Sequence, residues 1–125
     1  MNKVNNALRL PTSLDGNFFK LWIEFLRPLH KLTNREIDVI ASFIKHRYTL
    51  SKAISDVAIL DRITLSKDTQ KEVIKDCGIT LQYLQTTMSK FRKNGVIVNG
   101  RINPKFIPNI NDKGMITLLL CFDLK

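Results

Sequence analysis

Cysteine is scarce in this 125-residue chain: Cys77 and Cys121 are the only two. One ends a helical pattern and the other sits inside an apolar strand pattern, so both read as small buried hydrophobes. His30 and His46 lie 16 residues apart, with no Cys or carboxylate at ligand spacing, which leaves no local zinc motif. Long apolar runs are missing as well. The longest, Met115 to Phe122, falls well short of the roughly 20 residues that cross a bilayer. The start, MNKVNNALRL, lacks the apolar segment and small-residue cleavage site of a secretory leader, so the protein is expected to work where it is made. Glycine is limited to five positions, all at turns or caps, and no G-x-S-x-G, Gly-rich phosphate loop or paired-carboxylate motif occurs. No enzyme, cofactor or small-molecule substrate is expected, and no membrane partner.

Acidic residues are the other shortage. There are 11 Asp plus Glu against 20 Lys plus Arg, a formal net charge of +9. A small basic protein meets polyanions or acidic protein surfaces. With 44% hydrophobic and 25% charged residues, the chain is globular rather than disordered, and its length is that of one domain.

Residues 1–16 show no sustained periodicity and contain Pro11, Ser13, Asp15 and Gly16, which reads as an extended arm ending in a turn. Residues 17–125 form the single domain. NFFKLWIEFL places Phe18, Trp22 and Phe25 on one stripe, with Phe19, Ile23 and Leu26 beside it, a helix that Pro28 should end near Arg27. These aromatics belong either to the core or to a partner surface. Thr33 to Glu36 is a capping box opening a helix whose Ile37, Ile40, Ala41 and Ile44 turn inward, running to about Lys45 or Arg47. Ser55 could cap a short helix carrying Val57, Leu60 and either Ile63 or Ala58. A helix over 67–77 follows, with Val73, Ile74 and Cys77 inward and Gly78 as its left-handed cap. Thr80 caps the next, over 81–93, with Leu81, Leu84, Met88 and Phe91 inward and Asn94-Gly95 as its stop. Val96 to Val98, Asn99-Gly100 and Arg101-Ile102 make a hairpin with a type I′ turn. NDKG is another turn, and MITLLLCF is the strongest strand pattern in the chain.

Helix, Gly-containing turn, helix and hairpin in that order define the expected fold class. It is mainly α with a small β-sheet (α+β), a winged helix-turn-helix with an extended N-terminal arm and a C-terminal strand. Its second helix presents Gln82, Tyr83, Thr86, Ser89, Lys90 and Lys93 outward. Gln82 suits an adenine edge, Thr86 a base or phosphate, and Lys90, Arg92, Lys93, Arg101 and Lys105 phosphates or an acidic partner. From Cys77 to Asn111 those five cations occur with no Asp or Glu. The first two turns hold Gln82, Tyr83, Gln85 and Thr86 and no Arg or Lys, so the commonest base contact has no candidate there. That face serves either protein or backbone contact, or the reading of duplex DNA.

KLTNREIDVIASF and TQKEVIKDCGITLQYLQTTMSKFRKNGVI resemble the winged helix of multiple-antibiotic-resistance-type regulators, and RINPKF resembles plasmid replication-initiator domains. Across nearly the whole chain, with the motifs GNFFKLW and INPKFIPN, the sequence is similar to a small conserved protein of crAss-like tailed phages. That similarity implies a virion structural protein, a ring or adaptor subunit at the head-to-tail neck, made in the host cytoplasm. Portal or tail proteins and copies of itself are then the expected partners, with Leu8, Leu10, Leu14, Phe18 and Trp22 at subunit contacts. A regulator or replication factor binding double-stranded DNA is the alternative.

Overall fold

A computed structural model of the chain describes residues 8–14, 17–111 and 113–124. Among them are α1 (Phe18–Phe25), α2 (Arg27–His30), α3 (Asn34–Ser51), α4 (Val57–Thr64), α5 (Lys67–Cys77) and α6 (Leu81–Lys93). The strands β1 (Ile97–Val98) and β2 (Arg101–Ile102) follow, then a 3-10 turn over Pro104–Phe106. The architecture is mainly helical with one small antiparallel sheet, an α+β fold.

The 18 residues of α3 span about 27 Å and form the axis on which α1, α4 and α5 pack. Its start is fixed by a complete capping box: the Glu36 N–H donates to Thr33 Oγ1 at 3.3 Å, and the Thr33 N–H donates to Glu36 Oε1 at 2.8 Å. Ile37, Val39, Ile40, Phe43 and Ile44 are fully buried, so α3 is apolar on more than one side because helices cover more than one side. No helix breaker follows Arg47, and the helix continues four residues beyond the expected end.

Helix α1 stops at Phe25, and Pro28 then sits in the first turn of α2 instead of ending α1 at Arg27. Proline suits that place, where its missing N–H has no intrahelical partner to lose. Phe18, Phe19, Trp22 and Ile23 face inward, whereas Phe25 is half exposed. The Trp22 indole N–H donates to the Phe106 carbonyl at 2.8 Å, which ties the first helix to the turn after the hairpin. Phe18 and Trp22, expected at a subunit contact, are therefore interior residues, because a domain this small uses its largest side chains for its own core. Leu14 packs on that core too.

His30 is buried and wired at both ring nitrogens: Nε2 lies 2.7 Å from the Ile23 carbonyl, and Nδ1 accepts the Leu32 N–H at 2.9 Å. The neutral tautomer with the proton on Nε2 satisfies both. Burial lowers its pKa below the ordinary value, the Ile23 carbonyl works the other way, and the Arg27 charge lowers it again. The unfolded chain therefore takes up this proton first. Stability is full above about pH 6.5 and falls as pH drops from there toward the lowered folded value. Urea midpoints should decline across that window, and His30→Gln should flatten the decline; an unchanged slope in the variant would remove His30 as its cause.

The hairpin turn has Asn99 at φ +53° and Gly100 at φ +74°, the left-handed pair of a type I′ turn. Gly100→Ala should cost about 1–2 kcal/mol in chemical denaturation, since a Cβ meets open space there and the penalty is purely conformational.

Three further expectations fail. Val57 and Ala58 are exposed in α4, which is capped by Asp56 rather than Ser55 and buries Leu60, Asp61 and Thr64. Leu81 is 54% exposed and Thr87 takes the inward place in α6. The run from Met115 onward forms no strand: after the turn at Asn111–Gly114 and the half-buried Ile116, residues 117–124 are exposed, Cys121 included. Among the described residues its backbone from Thr117 on pairs with no other backbone, and β-propensity only acts against a neighbour.

Candidate partner-binding face

Helix α5 ends on Gly78 at φ +61°, and the Thr80 hydroxyl accepts the Tyr83 N–H at 3.0 Å to open α6. The short turn leaves one side of α6 uncovered. Leu84, Thr87, Met88 and Phe91 face the core, and Thr87 quiets its hydroxyl by donating to the Tyr83 carbonyl at 2.8 Å. Leu81, Gln82, Gln85, Thr86, Ser89, Lys90, Arg92 and Lys93 are on the solvent side.

The cations expected to act together have different fates. Lys90 Nζ donates to Glu36 Oε1 at 2.8 Å, the same oxygen that caps α3. Burial pushes the Glu36 carboxyl upward, but hydrogen bonds from Lys90 and Thr33 outweigh it, and it titrates below the ordinary carboxylate range. Arg101 Nη1 stands 3.9 Å from Asp61 Oδ2. Arg92, Lys93 and Lys105 are exposed and have no acidic partner among the described residues, with Lys105 5.2 Å above the Phe106 ring. The acid-free window of the sequence is thus not acid-free in space, because α3 and α4 bring Glu36 and Asp61 to it.

The polar base-reading set is also partly engaged. Tyr83 is half-buried under the Arg35 guanidinium, 5.3 Å from the ring centroid. Thr86 donates its hydroxyl to the Gln82 carbonyl at 3.1 Å, and its oxygen can still accept. Gln82 and Gln85 are exposed. The first half of α6 is therefore a neutral surface of Leu81, Gln82, Gln85 and Thr86, and its last turn carries Arg92 and Lys93, where cations also suit the negative end of the helix dipole. The apolar spacing of α6 points Leu81 inward and carries no sign of Arg35 beside Tyr83; Glu36 is legible as a cap, but no sequence signal links it to Lys90, 54 residues away.

One other cluster has the composition of a catalytic triad without its wiring. Asp76 Oδ2 accepts from Ser42 Oγ at 3.1 Å and lies 2.8 Å from His46 Nε2. The serine faces the carboxylate and not the imidazole, so the His–Ser hydrogen bond that activates a triad nucleophile is missing from this cluster. Cys77 is half-buried, with its thiol pushed up by burial and by the charges of Asp38 and Asp76, the reverse of an activated nucleophile. Among the described residues no three His, Cys, Asp or Glu side chains are grouped to hold a metal, and no helix is long and apolar enough to cross a membrane.

Comparison with protein-family models, with curated proteins and with solved structures returns no match for this chain.

Proposed function

We propose that this chain is a structural subunit of a tailed-phage particle, a winged-helix unit repeated in a ring or adaptor at the head-to-tail neck. The similarity of GNFFKLW and INPKFIPN to a crAss-like phage protein supplies the setting. One observation carries the assembly role: apolar side chains stand out at both ends of the chain, with Leu8 and Leu10 at 91% and 54% exposure before α1 and Leu118 to Leu124 after the last turn. Exposed apolar segments of that extent are surfaces for another protein. The neutral first half of α6 suits a protein contact, and Arg92, Lys93 and Lys105 suit an acidic portal or tail surface or the DNA passing through.

Purified particles should contain this protein by mass spectrometry. Deleting residues 1–12, which spares Leu14 and the core, should leave the helical circular dichroism intact and block incorporation into particles. Normal incorporation of the truncated chain would sink this version.

Arg92, Lys93 and Lys105, exposed and without an acidic partner among the described residues, favour a second reading, a duplex-DNA-binding regulator with Gln82 and Thr86 at base edges. Arg92→Gln with Lys93→Gln should then reduce the magnitude of the salt slope of DNA affinity by about 2. Gln82→Ala should weaken preference for one site over random DNA; an unchanged preference rejects base reading.

A further inference from the structure

We infer that residues 117–124 are an assembly strand that seats on a second copy of this chain, in the groove between α3 and the segment 107–110. The inference rests on the assembly reading above and names its partner and its contact.

The donor is on the surface already. Leu119 and Phe122 are each 81% exposed and Leu124 is 91% exposed. The sequence TLLLCF has the β-branched, aliphatic and aromatic character of a strand, yet its backbone makes no backbone hydrogen bond among the described residues. Backbone without hydrogen-bonded neighbours, carrying large apolar side chains, is available for strand addition.

The acceptor is on the same molecule. Phe19, Ile44 and Tyr48 on one side and Ile107, Pro108 and Ile110 on the other floor a solvent-open cavity of about 180 Å³, with Arg47, Ser51 and Asn109 as its polar lining. A cavity of about 150 Å³ already admits a benzene ring, so one leucine or phenylalanine side chain fits. Beside it, Asn109 and Ile110 also make no backbone hydrogen bond among the described residues, which leaves an edge for a strand to pair with.

The chain's own tail does not fill this groove. The turn closes with the Asn111 N–H donating to the Met115 carbonyl at 3.3 Å, Ile116 packs on the core, and the segment then departs while the cavity beside Ile110 stays open. Eight extended residues span about 26 Å, enough to reach past their own domain. Each copy thus carries one donor and one acceptor at different places. Such a heterologous contact propagates from copy to copy and closes into a ring when the rotation allows.

Ser51 lines the groove and Cys121 lies in the donor, so a disulfide can report the contact. In the full chain with Cys77→Ser, leaving Cys121 as the only native thiol, Ser51→Cys should give a ladder of disulfide-linked dimers and larger species on mild oxidation. The parent lacking Ser51→Cys should not. Leu119→Asp with Phe122→Asp should abolish the ladder and shift the unoxidised protein to monomer in sedimentation, with circular dichroism unchanged. An intrachain Ser51→Cys to Cys121 bond in a monomer would show the tail docking on its own domain and overturn the inference. A disulfide-linked dimer formed as readily by the parent, whose single thiol permits nothing larger, would show tail-to-tail pairing and overturn it too, as would a monomer that forms no bond. Particle incorporation is scored separately: a chain monomeric in solution yet packaged leaves the assembly reading standing without this contact. A self-associating chain absent from particles does the reverse.

Discussion

Asp61→Ala should lower the unfolding free energy by about 3–5 kcal/mol, the cost of breaking a buried ion pair by removing one partner. Asp61 Oδ1 accepts from both Nε and Nη2 of Arg47 at 3.1 Å, and the two side chains are only 10% and 16% exposed. The pair locks α4 against α3. Arg101 adds little, since it stands at 3.9 Å and its side chain is 45% exposed. Without the carboxylate, the mostly buried Arg47 guanidinium loses the acceptor that receives both its Nε and Nη2 donors. The loss is large against a total of about 5–15 kcal/mol for a domain. Urea denaturation measures it, and Arg47→Met with Asp61→Leu should recover most of it, because an apolar pair of similar volume leaves no charge behind. A loss below about 1 kcal/mol for Asp61→Ala would show that water reaches the pair and screens it.

Trp22→Ala should cost a similar amount, about 3–5 kcal/mol, as expected for removing a buried aromatic from a core that relaxes only in part. Trp22 adds a polar bond to its packing, the 2.8 Å hydrogen bond from its indole to the Phe106 carbonyl. Trp22→Phe separates the two contributions. It keeps most of the apolar bulk and leaves the carbonyl without its donor, for a cost of about 1–3 kcal/mol. Because Phe106 follows the hairpin, the alanine variant should also increase amide exchange at Ile97 and Ile102, on strands far from residue 22 in sequence. Exchange confined to α1 would mean the bond does not couple the two regions. Trp22 is the only tryptophan, so circular dichroism is the common probe for all variants.

The elements bounded by local chemistry were the ones the sequence made legible. Thr33 with Glu36, Ser66, Gly78 and Thr80 each satisfy an orphan backbone group at a helix end, and α5 and α6 fall on the expected residues. Asn99-Gly100 likewise sets the hairpin. Where the outcome depends on a neighbour, periodicity fails. Leu81 continues the apolar spacing of α6 but is 54% exposed, and MITLLLCF has every strand preference and, among the described residues, no strand paired with it. The candidate face was legible as a list of cations and not as a charge distribution. Lys90 and Arg101 look unopposed in sequence because Glu36 and Asp61 reach them from helices laid down much earlier in the chain.

Glu36 Oε1 receives both the Thr33 amide and the Lys90 ammonium. The domain thereby carries its own stand-in for an anionic ligand at α6. Any phosphate or carboxylate from outside must outcompete this resident carboxylate for Lys90, and its success would also loosen the first turn of α3. An anionic partner at α6 would thus act on two groups at once, the ammonium it pairs with and the carboxylate at the start of α3 that it leaves without its countercharge.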